Sequence, residues 1–431
     1  MFFHGVKNCS KIKKKYQFWG GKSSIHEDFI LWNAWITRPV IIFTGPSNPE
    51  FNRFFVISEN KNHLESIDVL RAIAIIAVFF YHAKWGYGHA EYDTNGLLVF
   101  HSFKELMLIL SPTGFGWTGV ELFLLISGFL IHNGYLAGEQ QGKELNVWNF
   151  YSKRFWRIFP PYFLVLVFFA FGSNPLRYLY DFNILKDFLL HVFFLHNLSE
   201  SSFFTINPAF WSLALEIQLY LIYPLLLMIR KRFGMGTTFW MLLGLSFVLA
   251  GIGFAWKGYQ EHLPYDASVF KFWIVWATGA YLAEKFRNKE RIFPKFSLLI
   301  SLLLFVGLMA SKAFLIGSKF QLYFCTFAWL AFFDWFINSV YISGSLHKPI
   351  FKFLSVIGVC SYSIYLIHQP FLLDMIEYLW PWWKGSLGMF VKSSLVFLIL
   401  FFLSYGMYVF VEQPSIAFGA KLRAKKKSMQ H

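Results

Sequence analysis

Ten apolar stretches of spanning or near-spanning length run through this chain, at about 67–85, 115–136, 158–172, 211–229, 237–256, 269–283, 296–315, 321–341, 353–379 and 389–411. In hydrocarbon no water satisfies the backbone, so a spanning segment closes its own hydrogen bonds as a helix or joins a closed barrel. These stretches exceed the ~10 residues of a membrane strand and approach the ~20 of a membrane helix. The predicted fold class is therefore all-α: a polytopic membrane helical bundle of about ten transmembrane helices. The shortest stretches need flanking aromatics or a thinned bilayer to cross. Composition agrees, since 56% of the 431 residues are hydrophobic and only 15% are charged. The 55 Phe, 17 Trp and 21 Tyr suit aromatic belts at two interfaces.

Charge placement orients the bundle. Lys143, Lys153, Arg154 and Arg157 follow the second stretch, and Arg230 to Arg232 follow the stretch beginning at Trp211. Later clusters run from Lys285 to Lys295, His347 to Lys352 and Lys421 to Lys427. With ten spans and a cytoplasmic N-terminus, every cluster lands inside, and so does the C-terminus. A shorter stretch, Ile184 to Leu198, carries Asp187, His191 and His196. Counting it as a span would put Arg230 to Arg232 and all later basic loops outside. Residues 184–210 are accordingly expected to form one re-entrant or interfacial segment on the external face. The formal charge of +15 then reflects cytoplasmic loops. No nucleic-acid motif accompanies it, and no nucleic-acid partner is expected. Three cysteines exclude a disulfide framework.

The expected organisation is a 1–60 extension, a 61–415 transmembrane domain and a 416–431 basic cytoplasmic tail. Lys11 to Lys15 is followed by no uninterrupted apolar run, so a signal peptide is not indicated. Phe29 to Phe43 is interrupted by Arg38-Pro39 and too short to span. The extension is expected to be disordered or to reflect a mis-assigned start, with translation beginning near Val56.

Five local patterns carry chemistry. In the first, Leu64 to His82, Arg71 and His82 stand eleven residues apart. That spacing brings them within ~20° of one helix face and sets them ~16 Å apart along the axis. Ionisable groups at two depths on one face of a membrane helix are costly and point to function. The second, Gly119 to Ile131, places Glu121 near the outer end of a span, with Ser127-Gly128 small enough for close helix approach. The third, Phe150 to Phe163, sets Arg154 and Arg157 three apart on one face, a pair able to clamp phosphates. The fourth, Asn207 to Leu227, puts Glu216 in the outer half of a span, where a carboxylate needs a partner. The fifth, Cys360 to Phe371, holds His368 just before Gln369-Pro370. Glu412, beside Pro414, reads as structural. No metal-ligand spacing, nucleophile elbow or glycine-rich phosphate loop is present, and no metal is expected.

In order and spacing, these patterns resemble the acyltransferase-3 family of integral membrane acyltransferases, from about Leu64 to Pro414. The matching elements are Arg71 with His82, the Gly119 to Ile131 string, Arg154 and Arg157 with Pro160, Trp211-Ser212 leading to Glu216 and Gln218, and Tyr365 to Pro370. Two positions depart: Glu121 stands where members often have Asp, and Ile217 where a second Glu is common. The resemblance implies transfer of an acyl group, commonly acetyl, from cytoplasmic acyl-CoA to a hydroxyl of an extracytoplasmic glycan or glycolipid. It also implies a bacterial inner-membrane location. Acyl-CoA is a co-substrate, and no tightly bound cofactor is expected. Arg71, Arg154 and Arg157 are expected to hold its phosphates. His82 is expected to act as general base or as acyl acceptor. Glu216 or Glu121 would orient the imidazole or polarise the acceptor. Trp211, Ser212 and His368 are expected to contact substrate, and membrane lipid surrounds the whole. The rival reading is a transporter of small anionic or lipid-linked substrates, which charged residues inside spans would suit. Repeat-built transporters show internal hydropathy symmetry, and none is visible here.

Overall fold

The computed structural model describes residues 58–83, 91–92, 98–99, 112–172, 181–258, 262–293, 296–341, 348–379 and 385–428. Nearly all of the 1–60 extension, and most of the stretch 86–114 expected on the external face, lies outside the described residues. The helices are α1 (Ser58–Ala83), α2 (Gly119–Glu139), α3 (Val147–Phe171), α4 (Phe182–Val192), α5 (Phe210–Lys257) and α6 (Val269–Arg287). They continue with α7 (Ser297–Ser311), α8 (Gln321–Phe336), α9 (Pro349–Val359), α10 (Ser361–Leu379), α11 (Gly385–Met407) and α12 (Gln413–Ser428). The described strands are a two-residue antiparallel pair, Glu91–Tyr92 against Leu98–Val99. The protein is an all-α membrane bundle. Among the described residues, five helices are long and apolar enough to cross a membrane, or six if the bent pair α9–α10 counts as one span.

The apolar stretches fall on these helices, with two departures in detail. Stretches 211–229 and 237–256 belong to one helix, α5, broken at Gly234 with φ 77° and ψ 160°. A residue with a β-carbon adopts that conformation only under strain, so glycine sets the break just beyond Arg230 to Arg232. Stretch 353–379, expected as a single span, is two helices bent by 70°. Cys360 leaves the helical region at φ −88° and ψ 0°. Nearby Gly358 lies so close to α1 that a β-carbon would sit 1.7 Å from the Asp68 carbonyl oxygen.

Burial separates the centre from the rim. Of the most apolar 18-residue window in each, 78% is buried in Gly114–Glu139 but 22% in Gly388–Lys426. The first is a central helix and the second faces lipid. The centre is held by small residues, as Ser127-Gly128 suggested. A β-carbon on Gly128 would meet the Trp276 carbonyl oxygen at 2.0 Å, and one on Gly279 would meet that of Leu125 at 2.0 Å. Backbone against backbone cannot yield as a side-chain tip can. Gly128→Val is therefore expected to destabilise the α2–α6 contact by at least about 2 kcal/mol, read as a lower melting temperature of the detergent-solubilised protein. At the end of the same helices, Arg230 forms a forked pair with Glu139 at 2.8 and 2.9 Å and also bonds Glu284. Buried His132 bridges Glu284 and Tyr223, at 3.1 Å each.

The segment 184–210 does not cross. Helix α4 has 11 residues, ~16 Å of rise, half a hydrocarbon core. Its polar groups turn into protein: His191, His196, Asn197 and Asn207 are fully buried. The ring nitrogens of His191 reach the carbonyls of Asp187 at 2.9 Å and Thr205 at 3.1 Å. Asn197 and Asn207 of this folded-back segment are likewise hydrogen-bonded, and His196 stacks on His191 with ring centroids 3.9 Å apart.

Candidate active site

Helices α1, α2, α3, α5 and α10 enclose a cavity of about 830 Å³, its open mouth included. Its wall carries the guanidiniums of Arg71, Arg154 and Arg157 and the carboxylate of Glu216. Two turns of local sequence explain the convergence. Arg154 and Arg157, three apart, share a face of α3. Glu216 and Tyr220, four apart, share a face of α5, and Tyr220 Oη donates to Glu216. Ser127 continues this polar strip from α2, 2.9 Å from Tyr220 Oη.

The arginines are held but not saturated. Arg71 lies 3.6 Å from Asp68, and Glu216 and Glu412 also act on it electrostatically. The guanidinium carbon of Arg154 lies 5.9 Å from the ring centroids of both Phe150 and Tyr220. Its Nε is buried without a hydrogen-bond partner among the described residues. A guanidinium with a donor to spare, in a site of net positive charge, suits an anionic ligand.

Proline shapes two of the walls. Pro160 in α3 cannot donate to the Trp156 carbonyl, and Ser415 Oγ supplies that hydrogen bond instead. Pro370 in α10 likewise leaves the Leu366 carbonyl without its helical donor. Asn207 Nδ2, from the folded-back segment, fills it at 2.8 Å. The folded-back segment is thereby tied to the helix turn that carries His368.

His368 and His82 are neighbours. His368 Nε2 lies 3.2 Å from His82 Nδ1, with ring centroids 5.1 Å apart. The pair stands behind Tyr365, which lines the cavity and whose ring centroid is 5.4 Å from that of His368. Tyr365 Oη bonds Ser212 Oγ, and both hydroxyls reach the Ala209 carbonyl, at 3.1 and 3.3 Å. A hydroxyl latch thus separates the arginine-lined cavity from the histidines.

Of the expected residues, Arg71, Arg154, Arg157, Glu216 and Ser212 meet at the cavity, and His368 meets His82. Two stand apart. Trp211 is a full ~100° around α5 from Ser212 and packs on Phe203 and Phe272 instead. Glu121 turns away from the wall formed by its neighbours Val120, Phe123 and Leu124, and is 4% exposed. Conversely, Glu412 does more than end a helix. It accepts from Ser363 at 3.1 Å and acts electrostatically on Arg157 and Arg71. Tyr220, Tyr365 and Asn207 carried no expected site role, although Asn207 and Tyr365 open two of the patterns read in the sequence. The clues were local: a Tyr four after Glu216, and a proline four after a carbonyl needing a donor.

Residues 64–409 match the acyltransferase domain of the acyltransferase-3 family. The chain belongs to that family. Among its acyltransferase-3 relatives, O-acetyltransferase OatA of Staphylococcus aureus is 24% identical over 399 residues, 86% of this chain and 60% of that protein. Peptidoglycan O-acetyltransferase OatA of Listeria monocytogenes is 28% identical over 180 residues, 39% of this chain and 25% of that protein. An uncharacterised Haemophilus influenzae protein is 30% identical over 163 residues, 35% of this chain and 66% of its own length. The chain thus spans less than two thirds of these curated relatives. No solved structure matches it.

Proposed function

We propose that this acyltransferase-3 protein is a membrane-embedded O-acyltransferase. It would carry an acyl group, acetyl by preference, from cytoplasmic acyl-CoA to a hydroxyl of an extracytoplasmic glycan or glycolipid. The observation that carries this reading is the convergence of three arginines on one cavity that ends one ring short of the His82–His368 pair. The names of the relatives favour acetyl and a cell-wall glycan acceptor. We place ten spans with both termini in the cytoplasm of a bacterial inner membrane, because that arrangement puts every basic cluster inside.

In this reading the CoA phosphates sit among Arg71, Arg154 and Arg157, each guanidinium offering several donors. Glu216 and Glu412 offset their mutual repulsion while the site awaits its donor. The pantetheine arm runs along the wall of α2 toward Tyr365. The thioester reaches His82, ~16 Å deeper than Arg71, once the Tyr365–Ser212 bond parts. His82 removes the proton of the acceptor hydroxyl, and that oxygen bonds to the acyl carbon. The carbon–sulfur bond then breaks, and the CoA thiolate leaves with the proton that His82 returns.

Mass spectrometry of surface glycans tests the whole reading. A deletion strain is expected to lose O-acyl groups that the complemented strain regains. An unchanged glycan profile, or substrate flux without acyl-CoA dependence in proteoliposomes, would favour a carrier instead.

A further inference from the structure

We infer that His368 is a positioning residue that sets the tautomer of His82 and so directs its basic nitrogen, Nε2, toward the reacting groups. This rests on the reading of His82 as general base. The hydrogen-bond chain supplies the argument. His368 Nδ1 lies 2.9 Å from the Tyr365 carbonyl oxygen. A carbonyl only accepts, so His368 Nδ1 carries the proton. The His368 side chain is fully buried, and among the described residues no carboxylate acts on it. A second proton would leave a buried cation without a counter-charge, so the ring is neutral and its Nε2 accepts.

The only donor in the 3.2 Å contact is then His82 Nδ1–H. His82 is also hydrogen-bonded to the Val78 carbonyl one turn back. A carbonyl only accepts, and a neutral His82 has one proton, the Nδ1–H already placed, so that N–H is shared between His368 and Val78. The lone pair of neutral His82 therefore belongs to Nε2, the nitrogen farther from the helix backbone. Without His368 only the Val78 carbonyl is left to hold that tautomer, and the imidazole loses the contact that fixes its rotamer. The frame behind His368 serves the same end: Asn207 fills the carbonyl that Pro370 vacates, fixing the turn that presents the ring. A histidine is used because one ring must donate to a carbonyl on one side and accept on the other.

Two amide substitutions separate the contacts. In His368→Asn the side-chain amide falls near the Nδ1 position and can bond only the Tyr365 carbonyl. In His368→Gln it reaches the Nε2 position, and its oxygen can accept from His82. The full-length chain is assayed in membrane vesicles from producing cells, at equal amounts of inserted protein, with radiolabelled acetyl-CoA and the glycans of those membranes. His368→Asn is expected to lower the maximal rate about 10²-fold with KM for acetyl-CoA unchanged, while His368→Gln stays within about 10-fold of wild type. Adding His368→Asn to His82→Ala is expected to cost nothing further, since the two residues act as a unit. Wild-type rates in His368→Asn, or a Gln variant as slow as the Asn variant, would overturn the inference while His82→Ala remains inactive. An active His82→Ala would instead sink the general-base reading itself.

Discussion

Membrane vesicles carrying His82→Ala are expected to transfer acetyl groups at least about 10³-fold more slowly than wild type, with the protein still inserted at normal levels. The size follows from the step that is lost. Without a base at hand, a sugar hydroxyl must attack the thioester with its proton still in place, and positioned general bases contribute about 10²–10⁴-fold. His82 lies half-buried at the end of α1, so removing the imidazole costs little packing. Binding of acetyl-CoA, measured by its protection of the protein against thermal unfolding, is expected to persist. Near-normal glycan acetylation by this variant would remove the histidine from the mechanism.

The complementary result is expected at the other end of the cavity. Arg154→Ala and Arg157→Ala should each raise KM for acetyl-CoA about 10–100-fold, the equivalent of ~1.5–3 kcal/mol for a charge-assisted hydrogen bond. The maximal rate should change little, because the phosphates are bound equally in ground and transition states. Lysine at position 154 should rescue only in part, since an ammonium cannot reproduce a planar fork lying beside the rings of Phe150 and Tyr220. Dephospho-CoA thioesters, lacking one phosphate, should discriminate least well between wild type and the variants. If both alanine variants keep wild-type KM, the arginines serve membrane orientation and not donor binding.

Legibility in the sequence followed the range of the physics. Arg71 and His82 could be paired because both lie on one helix, where angle and rise follow from residue count. Arg154 with Arg157, and Ser127 with Gly128, were readable on the same ground. Trp211 and Glu121 stand off the cavity wall for the converse reason. A residue beside a site residue in sequence is a quarter-turn away on a helix, and a motif does not say which face is inward. The bend at Cys360 escaped notice because apolar content is the same in one long helix and in two short ones.

The amino-acid order alone determined the all-α membrane class and the spacing of Arg71 and His82 along one helix. Each depends on local periodicity or on the cost of charge in hydrocarbon, which a one-dimensional pattern records. Only the tertiary structure decided that His368, 286 residues from His82, would lie against it, and that Asn207 would occupy the carbonyl freed by Pro370. Hydrogen bonds between distant segments depend on how helices cross. Nothing along the chain encodes that crossing until the small residues of α2 and α6 have drawn the backbones together.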